Sequence, residues 1–176
     1  MRQPETTNAF FNMKTTKNKG NSAGRIEKKV LIKASPDIIF QALTNATDLT
    51  HWFCDSASSN PHEGGELIAS WRTGGADQKG RAIFTRIVHN LLLELRWVYE
   101  QGEDAGEKSH HILSYTIQPR RGGSEVVMRD EDSFHSDEET LETLSEGWNS
   151  VLLELKDHCE RKERSSKTRG GADLLK

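Results

Sequence analysis

Two hydrophobic periods divide the chain. Between Ile26 and Met128 apolar residues recur mostly at every second position between turn signals, whereas after Asp137 they recur every third or fourth. In residues 26–34, Val30, Ile32 and Ala34 share one face and Glu27, Lys29 and Lys33 the other, the pattern of a half-buried strand. Ser35 is placed to cap a helix and Pro36 to begin it, because the first turn needs no N–H there. The pattern predicts a short helix over 36–44, then a second over about 47–52 leading to Trp52 and Phe53.

Turn signals then follow at short intervals: Pro61 with Gly64-Gly65, Gly74-Gly75, His89-Asn90, the polar run QGEDAGEKS, and RRGGS. Between them the sequence predicts strands through Leu67, Ala69 and Trp71, over 81–88, through LLLELRWVY, through HHILSYTIQP, and through EVVMRDED. In LLLELRWVY, Leu91, Leu93, Leu95, Trp97 and Tyr99 share a face opposite Glu94 and Arg96; Leu113, Tyr115 and Ile117 do so in the next strand. Val126, Met128 and Asp130 align in the last. Such close spacing favours antiparallel hairpins over βαβ units. Over 137–162, Leu141, Leu144, Trp148, Val151, Leu152 and Leu155 fall at helical spacings, so one long amphipathic helix must bury that stripe. The concave face of a curved antiparallel sheet is its natural partner, which makes the fold class α+β.

Length adds that 176 residues suffice for one core. Residues 1–24 and 164–176 are polar and without period, so we expect a disordered tail, a domain over 25–163 and a flexible tail, with Met13 an alternative start. A net charge of -3 gives no nucleic-acid footprint. No apolar run reaches the roughly 20 residues of a membrane span, and no secretory signal precedes the domain, so we expect a cytoplasmic protein. Cys54 and Cys159 are isolated and read as reduced packing residues. The seven histidines lack a metal-ligand spacing, and neither GxSxG nor GxxxxGK[ST] occurs, so no cofactor or metal is implied.

The quoted stretches also carry a resemblance. IKASPDIIFQALTNATDLTHWF, EGGELIASW, LLLELRW and GWNSVLLELK, in that order, resemble the START-like (SRPBCC) superfamily, in the branch of the activator of heat-shock chaperone ATPase homologues. That resemblance implies a helix-grip fold of about six or seven strands wrapped on a long C-terminal helix, with two short helices after the first strand. It departs after the last strand, where many relatives carry a His followed by Gly-Phe and this chain has Asp130-Glu131-Asp132-Ser133-Phe134.

A grip fold encloses space between sheet and helix, so inward residues matter most. Alternation and resemblance place Trp52, Phe53, Trp71, Phe84, Leu95, Trp97, Tyr99, Leu113, Tyr115, Met128, Asp130, Phe134 and Trp148 at that space. Singly, each apolar member is explained as core, because burial contributes about 1.5–3 kcal/mol per side chain. Together they have the composition of an apolar, aromatic ligand cavity. Asp130 reads as part of a solvated acidic turn with Glu131 and Asp132, or else as an inward carboxylate that needs a partner such as Arg86. Three functions fit: non-enzymatic binding of a small hydrophobic ligand, a stand-alone module acting on a heat-shock chaperone, and a cyclase- or dehydratase-like enzyme using cavity acid/base groups.

Overall fold

The computed structural model describes residues 24–73, 75–98, 111–132 and 138–172. The expected N-terminal tail lies outside these residues apart from Gly24, as do Tyr99 and Phe134. The elements are β1 (Gly24–Ile32), α1 (Pro36–Thr44), α2 (Ala46–Leu49), β2 (Ser56–Ser59), β3 (Glu66–Thr73), β4 (Ala76–Val88), β5 (Leu92–Val98), β6 (His111–Arg120), β7 (Gly123–Asp132) and α3 (Glu138–Ala172). Seven strands form one antiparallel sheet in the order β1-β7-β6-β5-β4-β3-β2. The expected helix-grip architecture is thus present: α+β, with α3 across the sheet and the two short helices after β1.

Alternation decides which face meets the core. Leu93, Leu95 and Trp97 of β5, Leu113, Tyr115 and Ile117 of β6, and Val126, Met128 and Asp130 of β7 are all buried. On α3, Leu144, Trp148, Val151, Leu152, Leu155 and Cys159 form the buried stripe, with Leu141 partly covered. Outward positions carry cross-strand ion pairs such as Arg129 with Glu27 at 2.7 Å and Arg25 with Glu131 at 3.4 Å. Leu91 departs from the expected face: it sits in the turn before β5, where the alternation has not begun, and is 48% exposed.

Caps explain the break after β1. Ser35 accepts from the Ile38 N–H with its side chain, and Pro36 occupies the first turn of α1. Asn45 ends α1 and also caps α2, its carboxamide oxygen accepting from the Asp48 N–H. The second helix is shorter than expected, because its last residues form successive turns whose N–H groups return to Leu49 O and Asp48 O. β2 is a short edge strand with no apolar pattern to announce it, and α3 continues ten residues beyond Lys162.

Two glycines sit where another backbone passes. A Cβ on Gly123 would meet Ile32 O at 2.2 Å, and one on Gly65 would meet Asn60 O at 2.0 Å. Gly65 O also accepts from the Phe84 N–H, which anchors the turn beside the bulge between Phe84 and Arg86. At the far end of β1, α3 satisfies the chain: Glu160 accepts from the Lys33 N–H and Glu163 from the Ser35 N–H, both at 3.0 Å, and Lys156 donates to Leu31 O.

Gly123→Ala must push the β1–β7 pair apart, and we expect it to destabilise the fold by about 1–3 kcal/mol in a urea titration, as overpacked sites do. Gly122, whose φ is +84° with open space around it, serves as the contrast: Gly122→Asn, a residue that tolerates this conformation, costs less.

Candidate functional site

A void of about 10 Å³ lies between the sheet and the two short helices. Of the residues the sequence nominates, Trp52, Phe53, Leu95, Trp97, Leu113 and Tyr115 line it. Leu43 of α1, Leu49 of α2 and Leu67 of β3 complete the wall. Sequence reading missed these three because each also reads as ordinary core. Trp71, Phe84, Met128, Asp130 and Trp148 are buried but stand outside the lining. The space therefore lies beneath α1 and α2, to one side of α3.

Its size is decisive for what it holds at rest. About 10–15 Å³ is the room one water needs, and an apolar wall offers water no partners. The void is filled by its own side chains. Phe53 lies at the centre of the aromatic packing, with ring centroids 5.3 Å from Trp52, 5.4 Å edge-on from Trp71 and 6.3 Å from Trp97. Two indole N–H groups are satisfied by backbone: Trp52 donates to Ala42 O at 2.9 Å and Trp71 to Phe53 O at 2.7 Å. These bonds fix the rings' orientation, because a buried indole N–H without an acceptor is costly.

Asp130 is not in a solvated acidic turn. β7 continues through Asp132, so the alternation that buries Val126 and Met128 also turns Asp130 inward, leaving it 5% exposed. Nor is Arg86 its partner; beyond the β4 bulge Arg86 is exposed. Instead Trp148 of α3 donates its Nε1–H to one carboxylate oxygen at 2.6 Å, and His111 donates from Nε2 to the other at 2.7 Å. His111 is a residue the sequence reading passed over, although it shares parity with Leu113 and Tyr115 on β6. Register puts Asp130 opposite Leu113, so His111 and Tyr115 are its two diagonal neighbours on the same face. Burial, then the charge of Asp130, pushes the Tyr115 phenol well above its ordinary range. Tyr115 is un-ionised at neutral pH, as an ordinary tyrosine is, and its side chain lines the void.

A second polar cluster ties α2 to α3. Asp48 accepts from His158 Nε2 at 3.0 Å and from Lys162 Nζ at 2.9 and 2.7 Å. His51, after α2, stacks on His158 with centroids 5.5 Å apart. Burial lowers the His158 pKa against the opposing pull of Asp48, and His51 and Lys162 add to the lowering. Cys54 and Cys159 are buried free thiols, each pushed up to about 12 chiefly by burial, which leaves them unreactive in the closed fold. Among the described residues no group of His, Cys, Asp and Glu side chains is placed to hold a metal ion, and no helix is long and apolar enough to cross a membrane.

Two outcomes follow for solution experiments. Trp148→Phe keeps the ring but leaves a buried carboxylate oxygen without its donor, so we expect a loss of about 1–3 kcal/mol in urea unfolding. His158 is neutral when folded and takes up a proton near pH 6.5 when unfolded; the stability this gives is complete above that value and is lost as pH falls through it toward the lower folded pKa. The unfolding midpoint should fall between about pH 7.5 and about pH 5.5, and His158→Gln should flatten that part of the profile.

Comparison with known proteins agrees with this architecture. The solution structure of the Aha1 dimer from Colwellia psychrerythraea superposes with a TM-score of 0.65 at 22% identity, over 78% of this chain and 96% of that one. A protein of unknown function from Staphylococcus aureus gives 0.71 at 14% identity, over 84% and 99% of the two chains. The AHSA1-like protein from Aeromonas hydrophila gives 0.63 at 14%, over 79% and 94%. At these identities the likeness establishes the fold alone. No curated protein matches the chain. The family model described as Activator of Hsp90 ATPase homolog 1-like protein matches residues 33–160, most of the chain, and with strand order, short helices and long C-terminal helix all in place, this protein belongs to that family.

Proposed function

We propose that the domain binds a small, mainly apolar molecule with one hydrogen-bonding oxygen, held between the sheet and the short helices. The observation that carries this reading is the wall of the void: four aromatic rings, Trp52, Phe53, Trp97 and Tyr115, with aliphatic side chains between them and a hydroxyl on one ring. Stacking surface with few polar groups is what a ligand cavity requires. Tyr115, protonated at neutral pH as an ordinary tyrosine is, would supply the phenol that donates to a carbonyl or hydroxyl oxygen. Behind it Asp130 is fixed by Trp148 and His111, so the polar corner is preorganised.

Binding requires opening. A benzene-sized ligand needs a cavity of roughly 150 Å³, more than tenfold the resting space. The filled void equally supports a second reading, in which the core is purely structural and the surface acts on a partner, as the family's description of an ATPase activator suggests. A chaperone ATPase assay with and without the protein separates the two. An enzyme using Asp130 as general base has less support, because both carboxylate oxygens already accept N–H groups and neither faces the void's lining.

In a melting screen of small aromatic alcohols and ketones we expect at least one to raise Tm, with a stoichiometric complex in native mass spectra. Tyr115→Phe should weaken that ligand about tenfold, the loss of one buried hydrogen bond. No shift and no bound species, with an accelerated ATPase, would replace the first reading by the second.

A further inference from the structure

The void's wall is not equally strong all round. Leu49, Trp52 and Phe53 belong to one segment, residues 46–53, that covers the void opposite the sheet. This cover is a four-residue helix and the turns after it, too short to be stable by its own hydrogen bonds. It begins at Asn45, an extended residue (φ -81°, ψ 128°) that ends one helix and starts the next. Among the described residues Asp48 ties it to α3, through an ion pair with Lys162 and a hydrogen bond from the neutral His158. His51 also lies against His158, and Gln41 of α1 reaches the same Lys162 at 3.4 Å.

We propose that residues 46–53 form a hinged cover over the aromatic void, turning at Asn45, and that the Asp48 cluster is the latch that sets how often it opens. Three of the nine wall residues belong to this segment, and lifting it breaks the Trp52–Ala42 O and Trp71–Phe53 O hydrogen bonds and the Asp48 cluster but no strand ladder. Of the other wall residues, Leu43 is held in the longer helix α1, and those on β3, β5 and β6 cannot move away without breaking strand ladders. The latch is also placed to be strong: Asp48 and His158 are only 13% and 7% exposed at their side chains, where charge-assisted hydrogen bonds are least screened. The use we give the cover rests on the ligand-binding reading; its motion does not.

Cys54 reports the motion without any added label site. It directly follows Phe53, its N–H bonds to Leu49 O within the cover, and it is fully buried. Thiol labelling of Cys54, resolved from Cys159 by peptide mass, is measured beside hydrogen exchange of amides in β6 and β7. For Asp48→Asn we expect Cys54 labelling to accelerate about tenfold or more, with much smaller change in the sheet amides. Lys162→Met should give a smaller acceleration, and serves should the first variant fail to fold. Glu163→Gln, which loosens α3 from the Ser35 turn without touching Asp48, should give none beyond the change in the sheet.

Labelling of Cys54 that always tracks sheet exchange overturns the cover, since only global unfolding then exposes it. Selective acceleration in Asp48→Asn with no compound that slows it leaves the cover standing and removes the ligand reading. A compound that binds with a Tyr115-dependent affinity yet leaves Cys54 labelling unchanged overturns the cover as the way into the void and keeps the ligand reading.

Discussion

Everything in this fold follows from one constraint: a seven-stranded sheet with an apolar concave face has to be covered. Each buried side chain on that face contributes about 1.5–3 kcal/mol only if water is excluded. Two covers of different character do this. α3 is long, presents a continuous stripe, and is fixed at two places along it, by Trp148 on Asp130 within the core and by Glu160 and Glu163 on the backbone at Lys33 and Ser35. The short helices and the turns after them bury Ile39, Phe40, Leu43, Leu49, Trp52 and Phe53, and lean on α3 through Asp48. Where the second cover meets the sheet the packing leaves its small aromatic void.

The buried carboxylate shows how the longer cover is tied to the sheet. Asp130 sits on a strand, yet its bonds join β7 to β6 through His111 and to α3 through Trp148. With both oxygens occupied, its charge adds to the burial that raises the pKa of Tyr115, a residue of the void's wall. A polar group in such a place costs stability unless every bond is made, so this corner orders the core around one arrangement. Membership of the family and the filled resting void are both compatible with a domain that is closed until something opens it.

Much of this was legible in sequence where a period was long. β5, β6 and β7 alternate cleanly, and among the described residues the face assigned from LLLELRWVY and HILSYTI is the buried one, save for Leu91, which precedes its strand; Tyr99 lies outside them. β2, with the sequence SASS, has no apolar residue larger than alanine to signal an edge strand. Asp130 was ambiguous because its chemistry argued for water while its parity argued for the core; only the length of β7 decides, and polar residues at a strand's end do not reveal that length. His111, Asp48, His158 and Lys162 were illegible for another reason. Their partners are 19 to 114 residues distant, and no local pattern encodes such pairs.

The central claim is that the aromatic void under α2 is a site and not merely packing. Methyl-resolved NMR with small aromatic titrants such as indole tests it directly, because Leu43, Leu49, Leu67, Leu95 and Leu113 line the void whereas Leu31, Leu91 and Leu153 are exposed. The account predicts saturable shifts confined to the first five, largest at Leu49 on the cover. Shifts at the exposed leucines alone, or none at any methyl, would contradict it.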